Sequence, residues 1–215
     1  TFELWGQKHS VDYALLRAAD QTWISNVGDH RAASAGARQA RLLLYGRALA
    51  VPADAMLIGN LRIDTGDARE KLATAFGSAP VLLGDLRNVN EEQSALCAAF
   101  TAWYKRLRAE VPLHEGFFVL GSPTPDARAW DGFARLSRAG EGIIVLFRNE
   151  SGAAHAHIRL PILGDATYRL SRLDADGATY EAAKISAEQF REGVDVGFGG
   201  EDVAVWEVRR EARSS

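Results

Sequence analysis

Hydrophobic positions along the chain change their period near residue 112. Before that point, short apolar runs alternate with longer stretches of helical periodicity. After it, short segments of alternating apolar and polar residues are separated by Gly, Asp and Ser turns. The pattern therefore predicts an α/β segment over residues 1–111 and an all-β domain, an antiparallel β-sandwich, over residues 112–215.

Three helices are predicted in the α/β segment. The clearest covers residues 90–108, where apolar positions such as Phe100, Trp103 and Leu107 recur at helical spacing. Asn90 and Gln93 have the spacing of a capping box at its start. The other two helices are expected over residues 31–50 and 67–76, and short apolar runs at 14–16, 55–58 and 80–83 lie between the helical stretches. Because these runs do not alternate, they predict buried strands of a parallel sheet with right-handed crossovers.

The all-β domain is predicted to contain about eight short strands. They are expected over residues 116–120, 133–138, 143–149, 155–160, 167–173, 179–185, 193–198 and 203–208. Asp176 and Gly177 indicate a hairpin turn, and the glycine-rich stretch 197–200 is interpreted as a hairpin loop because it lacks the Lys-Ser/Thr of a phosphate-binding loop. His155 and His157 share the polar face of one strand, so we expect solvent-exposed histidines rather than metal ligands.

Composition and charge narrow the classes of function. The 215 residues are 47% hydrophobic and 25% charged, which is typical of a folded globular chain. A net charge of −3 argues against nucleic acid or an anionic membrane as a partner. The single Cys97 excludes a disulfide framework, and no metal or cofactor is expected. No apolar run is long enough to span a bilayer. The first residue is Thr, which favours a chain cut from a longer protein and leaves the compartment open.

Three βα units are too few to close a (β/α)8 barrel, which needs eight units and about 250 residues. The first segment is therefore either a free parallel sheet with two open edges or, as we favour, the last part of a longer barrel. Function in such a barrel lies at the carboxyl ends of the strands. The richest loop, residues 20–30, combines Trp23, a flat surface for a sugar ring, with the carboxylates Asp20 and Asp29. The alternative is that Asp29 caps the next helix and Asp20 caps the strand end.

Residues 21–29, Gln-Thr-Trp-Ile-Ser-Asn-Val-Gly-Asp, resemble a motif of glycoside hydrolase family 36, the alpha-galactosidases (melibiases). That family has Gln-x-Trp-x-Ser-Asp-x-Thr-Asp after a barrel strand. Its Asp ahead of an earlier hydrophobic stretch matches Asp12, and its Leu-Asp-Leu matches residues 84–86. Its acidic helix start matches residues 90–93, and its Tyr-Lys-x-x-Arg helix end matches residues 104–108. The resemblance covers essentially the whole chain and implies the C-terminal part of a barrel followed by the β-sandwich.

The resemblance implies retaining hydrolysis of an alpha-galactoside by two carboxyl groups about 5–5.5 Å apart. The family nucleophile lies in a Lys-x-Asp motif on an earlier strand, and this sequence contains no such motif, so we expect the fragment alone to be inactive. The family acid/base position is Asn26, which has no titratable proton. Three alternatives follow: Asp29 or Asp20 supplies the proton, the substrates have good leaving groups, or the protein is a non-catalytic relative.

The sugar-binding residues are also expected to differ from those of the family. Its glycine-rich loop with a substrate-contacting Cys is replaced here by residues 4–10, so Trp5, Gln7 and His9 become candidate contacts, together with Trp23 and Asn26. The alternative for Trp5 is a core position at a strand end. A carbohydrate is the expected partner, and a homo-oligomer stays open by analogy with the family. The alternative functions are a sugar-binding or scaffolding relative and a free-standing accessory β-sandwich module.

Overall fold

A computed structural model of the chain describes residues 2–3, 20–25 and 33–212. Contacts divide the chain into two compact units, Thr1–Cys97 and Ala98–Ser215, which are described separately below. The boundary between residues 111 and 112, which the change of hydrophobic period indicates, stays a prediction.

The first unit alternates strands and helices. Its elements are β1 (Phe2–Glu3), β2 (Thr22–Ser25), α1 (Ala33–Arg47), β3 (Met56–Arg62), α2 (Ala68–Ala75) and β4 (Ala79–Leu83), with 3-10 turns at Ala53–Ala55 and Leu86–Asn88. Within the described residues, these four strands form one sheet in the order β1-β2-β3-β4, called the parallel sheet below. Every neighbouring pair in it is parallel.

Strand β2 lies where the sequence predicts a loop. Residues 22–25 pair with β1 on one side and with β3 on the other, so Trp23 lies in a strand and the prediction of a continuous loop over residues 20–30 is wrong. The β-branched and aromatic residues of this short run favour extended structure, but only the two neighbouring strands decide that it forms. The strand expected at residues 14–16 lies outside the described residues.

A helix cap and an ion pair between the two helices stabilise the helices of the first unit. Asp67 is the N-cap of α2, and its side chain accepts hydrogen bonds from the backbone N–H groups of Arg69 and Glu70. Arg41 of α1 is fully buried and forms a 2.6 Å ion pair with Glu70. Apolar residues from both helices and β3 are buried, among them Leu44, Ile58 and Leu72.

Helix α3 (Glu91–Glu110) contains residues of both units. The capping box predicted at its start is confirmed: the Gln93 N–H donates to Asn90 Oδ1 over 2.8 Å, and the Asn90 N–H donates to Gln93 Oε1 over 3.1 Å. In the second unit, Phe100, Trp103 and Leu107 are buried, as their helical spacing predicts.

The second unit is built around an antiparallel sheet. Its strands are β5 (Phe117–Gly121), β6 (Asp131–Leu136), β7 (Gly142–Phe147), β8 (His155–Ile158), β9 (Thr167–Leu173), β10 (Thr179–Ser186), β11 (Val194–Gly197) and β12 (Val203–Arg210). In the part of the chain that the structure describes, six of them form a sheet in the order β10-β9-β12-β7-β6-β5, and β11 pairs with β8. All eight predicted strands are confirmed, with ends that shift by a few residues. A short helix, α4 (Ala187–Glu192), is an addition that the strand pattern did not indicate.

The antiparallel sheet is covered on both faces. On one face, apolar residues including Ile144, Tyr168 and Trp206 pack in a single core with residues of β8, β11 and α4. On the other face, the indole N–H of Trp103 in α3 donates to Glu207 Oε2 of β12 over 2.7 Å. Arg135 of β6 donates from Nη1 to the Tyr104 hydroxyl over 2.8 Å. The prediction of an antiparallel β domain is therefore confirmed.

Two glycine turns have different outcomes. Gly177, with φ +81°, closes the β9–β10 hairpin, and its N–H donates to the Asp174 carbonyl over 3.1 Å, as the Asp176-Gly177 pair predicts. The stretch 197–200 is not a hairpin loop, because β11 and β12 belong to different sheets. At Gly199, φ is +62° and an added Cβ would lie 1.5 Å from Arg172 Nη1, so a side chain here would collide with that arginine.

Candidate functional site

The carboxyl edge of the parallel sheet is the candidate site. Strands β3 and β4 end at Arg62 and Leu83, and the loops 63–67 and 84–90 follow them. Because the strands are parallel, these loops emerge at the same edge. Ligand sites of parallel α/β folds lie at this edge.

An arginine–carboxylate pair occupies the end of β3. Arg62 donates to Asp64 twice, from Nε to Oδ1 over 3.0 Å and from Nη2 to Oδ2 over 2.6 Å. The Asp64 side chain is fully buried and also accepts the Asp85 N–H over 3.1 Å. An added Cβ at Gly84, where φ is +140°, would lie 2.7 Å from Asp64 Oδ1, so the close approach requires glycine. The Arg62 guanidinium holds the pKa of the Asp64 carboxyl well below its usual range.

A buried lysine fixes the loop between β3 and α2. Lys71 Nζ donates to the Arg62 carbonyl over 2.5 Å, to the Thr65 hydroxyl over 3.0 Å and to the Thr65 carbonyl. Burial lowers the pKa of Lys71, since the low-dielectric surroundings disfavour the charged amine. Lys71 therefore ties the backbone on both sides of Asp64 to helix α2.

A second pair lies at the end of β4 and is more exposed. Asp85 accepts from Arg87 Nε over 2.9 Å and from Arg87 Nη2 over 2.6 Å. The Arg87 side chain is 88% exposed. The hydrogen bonds from Arg87 lower the pKa of Asp85. Both carboxylates of this edge, Asp64 and Asp85, are therefore ionised and paired, which suits them to holding other groups and not to donating a proton.

The structure does not describe most of the residues that are predicted to bind or act on a sugar. Trp5, Gln7, His9, Asn26 and Asp29 lie outside the described residues, and of Trp23 only the backbone position in β2 is described.

Asp20 is exposed and precedes β2, at the amino end of that strand. The same end is marked by Gln21, whose Nε2 donates over 3.3 Å to the carbonyl of Asp54, just ahead of β3. The amino ends of parallel strands lie at the edge opposite to Arg62. This position argues against Asp20 as the acid/base.

Arg62, Asp64 and Lys71 were missed by the sequence analysis. Their only local signal is an Arg-x-Asp sequence after an apolar run, which is common at strand ends. The lysine is nine residues away from the arginine carbonyl that it binds. Nothing in the sequence indicates that a helix returns it to that point.

The remaining charged groups do not indicate a metal centre. Among the residues that the structure describes, no group of three or more His, Cys, Asp and Glu side chains could hold a metal ion. His155 and His157 are exposed, as predicted. His157 Nδ1 lies 2.9 Å from Asp195 Oδ1 on the neighbouring strand. Of the helices described, none has the length and apolar character needed to cross a bilayer.

The fold is shared with alpha-galactosidases of glycoside hydrolase family 36. No protein-family model matches the sequence, and no curated protein matches it. Among solved structures, the chain is similar to GH36 alpha-galactosidase AgaA from Geobacillus stearothermophilus, a variant in complex with 1-deoxygalactonojirimycin. The TM-score is 0.72 and the identity 18%, covering 93% of this chain and 27% of that chain.

Two further solved structures are similar to the chain over the same extent. A variant of AgaA in complex with stachyose has a TM-score of 0.68 at 20% identity, covering 93% of this chain and 27% of that one. The galactosidase domain of the alpha-galactosidase-sucrose kinase AgaSK has a TM-score of 0.66 at 16% identity, covering 92% of this chain and 27% of that one. At these identities the likeness shows the fold, and the resemblance expected from residues 21–29 is confirmed at that level. The chain spans about a quarter of the length of the structures it matches.

Proposed function

We propose that this chain is part of a retaining glycoside hydrolase acting on alpha-galactosides, to which it contributes the last strands of a (β/α)8 barrel and the β domain that follows. The observation that carries the proposal is the parallel order β1-β2-β3-β4, with the motif of residues 21–29 entering at β2. This is how consecutive strands of a barrel are ordered. The fold shared with family 36 alpha-galactosidases supports it.

Asp29 is the proposed acid/base. A retaining hydrolase needs one carboxyl group to protonate the leaving-group oxygen and another to attack the sugar. Asn26, at the family position, has no proton to give, and Asp20 lies at the opposite edge of the parallel sheet. In the sequence, Asp29 follows Ser25, the last residue of β2, by four positions, and barrel enzymes bind substrate at the carboxyl ends of their strands. The nucleophile belongs to a part of the barrel that this chain does not contain.

The experiment uses the protein that contains this chain in full. Hydrolysis of aryl alpha-galactosides and of alpha-linked oligosaccharides is measured for Asp29→Asn, with Asp20→Asn as the matched control. We expect Asp29→Asn to lower the rate by roughly 10²–10⁴ on oligosaccharides, and by less on aryl substrates, whose leaving groups need little protonation. Asp20→Asn should leave both rates unchanged. Equal losses of rate in the two variants would contradict the role of Asp29 as acid/base. If the unaltered protein turns over no alpha-linked sugar, the proposed glycosidase activity is wrong.

Asn26 favours a second candidate, a sugar-binding relative without hydrolytic activity. Calorimetric titration with galactose separates the two functions. Binding without turnover supports the second candidate. Asn26→Asp is then informative, since a large gain in rate would show that the rest of the site is competent for catalysis.

A further inference from the structure

The layer that covers the core face of the antiparallel sheet ends short of one corner. Tyr168 and Leu170 of β9 are buried in the core that β8, β11 and α4 complete. Arg172, two positions further along the same face, has a side chain that is 22% exposed. Tyr180 of the edge strand β10 pairs with Arg172 and is 55% exposed. An exposed aromatic residue and an arginine therefore lie opposite each other on neighbouring strands, on one face of the sheet.

Arg172 is held in place by three contacts. Its Nη2 donates to the Phe198 carbonyl over 3.0 Å and lies 3.0 Å from Glu201 Oε2. Its guanidinium carbon lies 5.9 Å from the centroid of the Trp206 ring, within the range of a cation–π contact. Gly199 allows this position, because an added Cβ there would lie 1.5 Å from Nη1. The guanidinium is therefore fixed, and little side-chain entropy remains to be lost when a ligand binds.

Tyr180, Arg172 and Glu201, called the Tyr180 patch below, combine groups that match a neutral sugar better than an ion. Among the described residues, Nε and Nη1 of Arg172 have no hydrogen-bond partner, so they can donate to a ligand. The half-exposed Glu201 carboxylate can accept further hydrogen bonds and neutralises the charge of Arg172. The ring of Tyr180 offers a flat apolar surface to the C–H groups of a sugar ring, whose hydroxyl groups both donate and accept.

We propose that the Tyr180 patch is a carbohydrate-binding site whose ligand is a neutral oligosaccharide. One sugar ring stacks on Tyr180, and hydroxyl groups of that ring or of its neighbour bond to Arg172 and Glu201. All three residues belong to the second unit. Binding at this patch therefore does not depend on the hydrolase activity proposed above.

Titration of the 215-residue chain with stachyose, maltotetraose and cellotetraose, followed by amide NMR spectra, tests the proposal. We expect at least one of these neutral oligosaccharides to bind with a Kd on the order of 1 mM, since a surface site of three side chains makes few contacts. The amide signals of Arg172, Tyr180 and Glu201 should shift. The signal of Leu163, an exposed residue elsewhere in the second unit, should not shift. An anionic oligogalacturonate should bind no more tightly than the neutral sugars.

Substitutions of Tyr180 separate stacking from other contributions. Tyr180→Ala should weaken binding about tenfold or more, because the stacking surface is lost, whereas Tyr180→Phe keeps the ring and should bind like the unaltered chain. Leu163→Ala is the matched control, since it truncates another exposed apolar side chain, and it should leave the affinity unchanged. Thermal melting shows whether each variant is folded. Should Tyr180→Ala fail to fold, the shifts in the unaltered chain decide the question.

Four outcomes would overturn the carbohydrate-binding site. They are no binding of any of the three neutral oligosaccharides, shifts confined to residues outside the Tyr180 patch, tighter binding of the oligogalacturonate, and equal affinity of the folded Tyr180→Ala variant and the unaltered chain. None of these results depends on whether the protein that contains this chain hydrolyses alpha-galactosides, so the failure of one proposal leaves the other standing.

Discussion

Trp103 joins helix α3 to the antiparallel sheet, and its removal should destabilise the second unit. The indole is 2% exposed, and its N–H donates to Glu207 Oε2 over 2.7 Å. Glu207 is itself buried and accepts from Arg209 Nε over 2.7 Å. Trp103→Phe keeps an aromatic ring on the helix but removes the donor and part of the ring volume.

The loss can be worked out from two contributions. A hydrogen bond to a charged acceptor is worth about 1.5–3 kcal/mol, and the lower half of that range applies because Arg209 still pairs with Glu207. The smaller ring leaves a void of about 40 Å3, which costs about 1 kcal/mol. We therefore expect Trp103→Phe to lower the free energy of unfolding by about 2.5–3.2 kcal/mol, or the urea midpoint by about 1 M or more.

Urea unfolding followed by circular dichroism measures this loss in the 215-residue chain. Lys105→Ala is the control, because Lys105 is an exposed residue of the same helix, and it should change the stability by less than about 0.5 kcal/mol. A double-mutant cycle with Glu207→Gln isolates the contribution of the pair. A loss no larger than that of the control, or a coupling energy near zero, would refute the reasoning.

Three further predictions concern other parts of the fold. An added Cβ at Gly142 would lie 1.9 Å from the Arg135 carbonyl, whereas one at Gly152 meets open space. Gly142→Ala should therefore lower the melting temperature far more than Gly152→Ala does. Equal shifts of the melting temperature would contradict this prediction. The folded pKa of Asp64 lies below its ordinary value of 3.8, so its stabilisation is complete above that value and is lost as the pH falls below it. Acid unfolding should accordingly be less steep in Asp64→Asn, as an acid titration by fluorescence would show. Asn90→Ala removes the cap of α3 and should cost about 1 kcal/mol in urea unfolding, while Asn90→Asp should cost little.

The candidate site was only partly predictable from the sequence. The motif of residues 21–29 indicated the right fold, because a short stretch of sequence is enough to compare residue types and spacing with those of a known family. It could not place Asp20 at the amino end of a strand, because β2 exists only through pairing with β1 and β3. The Arg-x-Asp sequence of Arg62 and Asp64 was too common to single out, since the hydrogen bond from the Asp85 N–H to Asp64 forms only in the folded sheet.

By itself, the sequence determined the elements whose stabilising interactions are local. Helix α3 begins at a capping box formed within four residues, and the Asp176-Gly177 turn closes its hairpin because glycine accepts a positive φ. Short strand-like runs between Gly, Asp and Ser turns were enough to locate the strands of the β domain. Burial alternates along β8, whereas every position of β6 and β7 is buried, because their sheet is covered on both faces.

Only the tertiary structure decided what joins distant parts of the chain. The connection over residues 197–200 passes between two sheets, and Trp103 meets a carboxylate 104 positions away. Lys71 reaches the backbone of β3 because α2 packs against that strand. These contacts depend on which strands pair and which faces meet, and that choice is made by burial over the whole chain, which no local pattern encodes.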